Sequence, residues 1–227
     1  MNRFDEYMLH HNKCDANQRG DDALGIVSMT CEFEPQILNK AVKLMPESNI
    51  AECGSWVGAM SVVLATSMQD RFGENTKLRL HSIDPLTVED LAYDGNLVKQ
   101  VNENSLDLRK MYDDNMTKWQ VDRLIVKHRM KSQDVDIDQI PDLGLLFIDS
   151  SHEEESVVQE LYKFTPKVIK DGYVILHDKN LAGVDNAIKR FMKDNKEFND
   201  ISAEFITSPD ISRHELAMGW IFVARRI

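Results

Sequence analysis

Six polar residues stand at or just beyond the ends of short apolar runs: Glu52 after Ile50, Asp84 after Leu80 to Ile83, Asp149 and His152 after Leu145 to Ile148, and His177 and Asp178 after Val174 to Leu176. Short apolar runs bounded by turn residues read as buried strands. A carboxylate at such an end is poorly solvated unless something donates to it or neutralises it. If the strands ending at Asp149 and Asp178 are neighbours, their carboxylates share one crevice and repel unless a proton or cation lies between them. Hard oxygen donors favour Mg²⁺ or Ca²⁺, with His177 either a further ligand or a support for the others. Such a cation lowers the pKa of an alcohol or phenol and fixes its oxygen. His152 has the titration range of a base that could take the proton. The plainer alternatives are aspartates capping helices at ordinary strand ends, and a histidine capping the helix that starts at Glu153.

The loop Gly54-Ser-Trp-Val-Gly58 follows the first run. Its two glycines suit a tight turn and close approach of backbone to a ligand, but their spacing is not the dinucleotide fingerprint. Glu52 before them suits a cationic amino group on a ligand, or is a structural acid. Asp84 suits the paired hydroxyls of a ribose, or forms an Asx turn before Pro85. The 32 residues between Glu52 and Asp84 match one strand–helix–strand unit. Lys131-Ser132-Gln133-Asp134 could meet an adenine ring or cap a short helix. Trp56, Tyr93, Trp119, Met29 and Met130 are pocket walls or ordinary core residues. Arg109 reads as solvated. His10-His11 reads as disordered, with a lid or a soft metal-binding tip as the alternative.

These residues need elements to hold them. Phe33 to Leu44 has helical periodicity closed by Pro46. Helices are also expected over Val57 to Arg71, from Leu86, over Leu106 to Val121, Glu153 to Val168 and Val184 to Lys193. Strands are expected at Ile50–Glu52, Lys77–Ile83, Leu124–His128, Leu143–Ile148 and Tyr173–Leu176. The last two are expected at Phe205 and at Trp220 to Ala224, as an antiparallel edge joined through Ser208 to Glu215. This alternation implies an open α/β sheet, mostly parallel, with ligands beyond the C-terminal strand ends. Residues 1–32 are expected to form a helical or loop cap, and residues 33–227 the main domain.

Composition sets the partners. The 227 residues carry a formal charge of −11, which argues against a nucleic-acid substrate and suits a small-molecule acceptor. Lys163, Lys167 and Lys170, or Lys189, Arg190 and Lys193, read as solvated helix faces. No apolar run reaches membrane-spanning length, and the first residues lack a signal-peptide core, so a cytoplasmic protein is expected. Cys14, Cys31 and Cys53 form neither a disulfide framework nor a metal pattern. A homodimer is open.

From about Phe33 to Arg226 the chain resembles class I methyltransferases of the catechol O-methyltransferase type, and the bacterial branch acting on macrolide sugars. The resemblance implies a Rossmann-like, seven-stranded sheet with an antiparallel last strand, and S-adenosylmethionine as cofactor. It assigns Glu52, Gly54, Trp56, Gly58 and Ser61 to the first cofactor motif, Asp84 to the ribose, Ser132 and Gln133 to the adenine, and Asp149 to both cofactor and metal. Asp178 matches the second metal aspartate. His152 falls where the sugar-modifying enzymes carry a histidine base. Ser61 stands one place later than the family's serine, which is Met60 here. Lys179 replaces the catechol type's asparagine, and His177 the sugar branch's acid. Lys179 could therefore supply the charge in place of a metal. The alternatives are a dinucleotide oxidoreductase, a binding protein on a degenerate scaffold, and a metal-independent N-methyltransferase.

Overall fold

The computed structural model describes residues 1–11, 24–26, 28, 30, 33–87 and 107–227. Met29, Tyr93, Cys14, Cys31 and most of the helix expected from Leu86 lie outside them. The apolar runs form β1 (Asn49–Cys53), β2 (Leu80–Ile83), β3 (Ile125–His128), β4 (Leu143–Ile148) and β5 (Val168–Leu176). Every residue of β2 and β4 is buried, as in strands covered on both faces. Two more strands, β6 (Phe198–Asp200) and β7 (Phe222–Arg226), complete the order β3-β2-β1-β4-β5-β7-β6. The first five pair in parallel, and β7 runs antiparallel to both β5 and β6. Strand order reverses between β1 and β4, so the crevice opens over their C-terminal ends.

Strand side chains alternate between two apolar clusters. On β4, Leu145 and Phe147 join one, while Leu146 and Ile148 join the other. The first cluster includes residues of α1 (Arg3–His11), α2 (Phe33–Leu44), α3 (Ala59–Phe72) and α4 (Leu108–Lys118); the second includes α5 (Glu154–Phe164) and α6 (Ala182–Asp194). In α6 the buried stripe is Val184, Ala187, Ile188 and Phe191, the spacing of a helix with one covered face.

Three expectations are corrected. Phe205 lies in a short helix, α7 (Ser202–Ile206), and Trp220 ends another, α8 (His214–Trp220). The edge strand is instead Phe198–Asp200, whose single buried residue, Phe198, is followed by exposed Asn199 and Asp200 and shows no alternation. The helix expected to reach Val168 stops at Phe164, because Pro166 has no N–H to continue the ladder. His10 and His11 are ordered in α1, which packs on α3. Phe4, Tyr7 and His11 form its buried face, with the His11 ring stacked on Tyr7.

Among the described residues no helix is long and apolar enough to cross a membrane. The basic helix faces are partly neutralised: Lys189 pairs with Asp185 at 2.5 Å and Arg190 with Glu155 at 2.9 Å.

Candidate functional site

The parallel ladder continues one step past the strands, which brings their ends level. Gly54 N donates to Ile83 O (2.9 Å), Asp149 N to Cys53 O (2.8 Å) and His177 N to Ile148 O (3.0 Å). Gly54 has φ +86°, and a Cβ there would lie 2.1 Å from Asp149 O. This glycine is required because two strand ends meet at its α-carbon. Asp84 closes the same loop from β2. Its Oδ2 accepts from Ser55 N (2.9 Å) and Trp56 N (2.8 Å), and its Oδ1 from Leu86 N (2.7 Å). The Asx turn is thus present, and the carboxylate also holds Trp56, whose φ is +42°. Asp84→Ala is expected to leave these donors unsatisfied at about 1–3 kcal/mol, lowering the melting temperature together with cofactor affinity. Loss of affinity without a change in melting temperature would assign Asp84 to the ligand alone.

Glu52 is fully buried on β1, and Ser61 donates to its Oε2. Burial, reinforced by Asp149 and Asp84 and opposed by the Ser61 hydrogen bond, lifts its pKa to about 8. The folded pKa therefore exceeds the unfolded one. The contribution to stability is complete below pH 4.5 and is lost progressively as pH rises toward about 8. Glu52→Gln cannot ionise, so its stability relative to the native chain is expected to grow by about 3 kcal/mol from pH 4.5 to pH 7. Parallel melting-temperature profiles for the two proteins across this range would reject the assignment.

Glu52 Oε1, Ser55 Oγ and Trp56 Nε1 are buried without hydrogen-bond partners. Buried polar atoms are normally satisfied, and three such atoms, one at the end of β1 and two in the loop after it, fit a polar ligand such as the amino-acid part of S-adenosylmethionine. Ser61 faces Glu52 rather than open space.

On the other side of the switch point, Asp149, His177 and Asp178 converge, with one ligand atom from each lying within 4.8 Å of the others. His177 Nδ1 is 3.2 Å from Asp149 Oδ1 and 3.0 Å from Asp178 Oδ2, yet neither contact is aligned as a hydrogen bond. Adjacent donors on a six-coordinate ion with bonds near 2.1 Å are separated by about 3.0 Å, so this set fits a divalent cation. Burial disfavours the His177 imidazolium, but the facing Asp149, Asp178 and Glu34 outweigh it and hold the pKa well above the ordinary value. Asp178 has φ +55°, a region few non-glycine residues adopt, which aspartate tolerates better than most. His152 Nε2 lies 2.8 Å from Asp178 Oδ2. That hydrogen bond, opposed by burial and aided by the charges of Asp178 and Asp149, raises the pKa of His152. Both histidines keep the Asp178 carboxyl far below its usual range despite its burial. Among the described residues the ion-pair partners of Asp149 and Asp178 are His152 and His177.

The adenine-side candidates divide. Ser132 is buried and donates to Glu160, whereas Gln133 is exposed and its backbone carbonyl accepts from Lys163 (2.6 Å). Trp119 is core, packed near Tyr7, and Met130 is exposed. Arg109 is a surface residue whose guanidinium donates to Pro85 O (3.2 Å).

Two carboxylates escaped the sequence reasoning. Glu160, inside the buried stripe of α5, accepts from Ser132 and from Ser150 (2.6 Å). Glu34, on the buried face of α2, accepts from His177 Nε2 (3.0 Å). The available signal was an acid three residues from apolar neighbours on a helical stripe: Glu34 before Ile37, and Glu160 after Val157.

The sequence profile of the methyltransferase domain family matches residues 51–179, more than half of the chain. Among solved structures, the O-methyltransferase NovP is similar with a TM-score of 0.67 at 14% identity, over 98% of this chain and 97% of that one. Cofactor-bound Rv0187 from MTB has a TM-score of 0.58 at 12% identity, covering 93% of both chains. The O-methyltransferase TomG from Streptomyces achromogenes, involved in tomaymycin synthesis and solved with SAM, has a TM-score of 0.58 at 10% identity, over 99% of this chain and 89% of its own. Likeness at these identities establishes the fold. No curated protein matches the sequence. The family profile spans the switch point from Ala51 in β1 to Lys179 after β5, and with it the chain belongs to the methyltransferase domain family, as a class I methyltransferase dependent on S-adenosylmethionine.

Proposed function

We propose that this chain methylates a hydroxyl oxygen of a small molecule, with a divalent cation assisting and His152 as general base. The observation that carries this is the convergence of Asp149, His177 and Asp178 beside the His152–Asp178 pair. S-Adenosylmethionine supplies an electrophilic methyl group, and the cation supplies charge that acidifies and orients the acceptor oxygen. The protein's own part is to bind, orient and remove a proton. Glu52, Gly54, Trp56 and Gly58 border the methionine end of the cofactor, with Ser61 holding Glu52. Asp84 fixes that loop toward the ribose, and Ser132 and Gln133 flank the adenine. Asp178 orients the His152 ring and stabilises the charge it acquires on taking the proton.

Natural-product acceptors are a first class to test, since TomG is described as involved in tomaymycin synthesis; sugar-bearing and catechol-like hydroxyls follow from the resemblance of the sequence. Of the N-terminal cap expected over residues 1–32, the described helix α1 lies on α3.

The test is calorimetric titration of the full chain with S-adenosylhomocysteine, with and without divalent ions, followed by a radiolabelled methyl-transfer screen of hydroxylated acceptors. Micromolar binding and chelator-sensitive transfer to oxygen are expected. Transfer that chelator leaves unchanged, with nitrogen as the acceptor, would replace this proposal with N-methylation.

A further inference from the structure

The geometry points to a cation site with a mixed nitrogen and oxygen donor set, selective for a first-row transition ion over Mg²⁺ or Ca²⁺, in which Glu34 is the positioning residue that aims His177. This inference rests on the metal-assisted reading of the site and concerns which ion it takes.

His177 is 8% exposed and Glu34 3%, so their contact is made almost out of water. A carboxylate only accepts, so the 3.0 Å contact between His177 Nε2 and Glu34 Oε1 fixes the proton on Nε2. That leaves Nδ1 as the nitrogen that faces the two aspartates, Asp149 Oδ1 at 3.2 Å and Asp178 Oδ2 at 3.0 Å. Nδ1 and the two carboxylates offer one ligand atom each within 4.8 Å of one another, close enough to surround a single cation.

A carboxylate behind a ligating histidine sets its tautomer and raises its basicity. Imidazole suits Fe²⁺, Co²⁺, Ni²⁺ and Zn²⁺, and adds little for Mg²⁺ or Ca²⁺, which prefer oxygen. The sequence led us to expect Mg²⁺ or Ca²⁺ because hard oxygen donors favour them, with His177 either a further ligand or a support. The Glu34–His177 pair shifts the preference.

Most carboxylate sites also bind transition ions more tightly than Mg²⁺, so affinity alone does not decide the matter. The full chain, stripped of metal by chelator, would be loaded with MnCl₂ and examined by pulsed electron paramagnetic resonance for coupling to a directly bound ¹⁴N. Titration calorimetry with MnCl₂, CoCl₂ and MgCl₂ would run alongside. The native chain is expected to show the nitrogen coupling and to bind Co²⁺ at least tenfold more tightly than Mg²⁺. His177→Asp should abolish the coupling and bring Co²⁺ and Mg²⁺ affinities closer together. Glu34→Gln should weaken Co²⁺ binding by about 10–100-fold and Mg²⁺ binding much less, with Glu34→Asp restoring part of the loss. Mn²⁺ bound without nitrogen coupling in the native chain would overturn the inference while leaving a carboxylate metal site standing. Failure of all three ions to bind would overturn the inference and the metal-assisted reading together. The spectrum of the native chain decides the point even if a variant fails to fold.

Discussion

Replacement of His152 by alanine is expected to lower kcat by about 10²–10⁴-fold, the usual contribution of a positioned general base, with cofactor affinity little changed. The expectation follows from the 2.8 Å contact between His152 Nε2 and Asp178 Oδ2 at the rim of the acidic cluster. His152 is partly exposed at 30%, as a residue that must reach an acceptor should be. The base works in its neutral form. Because the hydrogen bond to Asp178 raises its pKa, the acid limb of the kcat/KM profile should lie above the ordinary histidine value of about 6.5 and disappear in the variant. Steady-state kinetics across pH would test both points. A variant that keeps the native kcat, or loses only KM, removes His152 from the chemistry.

Gly54→Ala should be the most damaging small substitution, at about 3–5 kcal/mol, which for a chain of this size lowers the melting temperature by roughly 6–20 °C. The added Cβ would lie 2.1 Å from Asp149 O, 2.5 Å from Asp149 C and 2.6 Å from Ser150 Cα, all backbone atoms. None of these can rotate away, because Asp149 N is bonded to Cys53 O and Gly54 N to Ile83 O. The φ of +86° adds strain for any L side chain. Gly73→Ala is the control: its φ is +83°, but nothing lies within 4 Å of its Cβ. It should cost only the conformational part, about 1–3 kcal/mol, for a backbone at φ 83° and ψ 157° that is essentially reserved for glycine. Equal losses at the two glycines, measured by thermal or denaturant unfolding, would show that contact between the strand ends is unimportant.

The α/β class, the helix Phe33–Leu44 and four of the five parallel strands were legible in the sequence to within a few residues, because each is a run of apolar residues with one period and a polar stop. The same stops marked Glu52, Asp84, Asp149, His152, His177 and Asp178, since a polar residue ending a buried strand must lie near the crevice. The edge was not legible. Phe198–Asp200 carries one buried residue, while Phe205 is buried from a helix, and period alone cannot separate a three-residue strand from a five-residue helix.

Partnership was decided by the tertiary structure alone. Ser61 turns to Glu52, Ser132 to Glu160, Asp84 to the backbone of residues 55 and 56, and His177 to Glu34, which lies 143 residues away in the chain. The sequence determines which residues reach the crevice, because strand ends and helix stripes are local properties. It does not determine which acceptor each donor meets, because that depends on how the helices pack on the sheet, and a shift of one turn would pair each side chain differently.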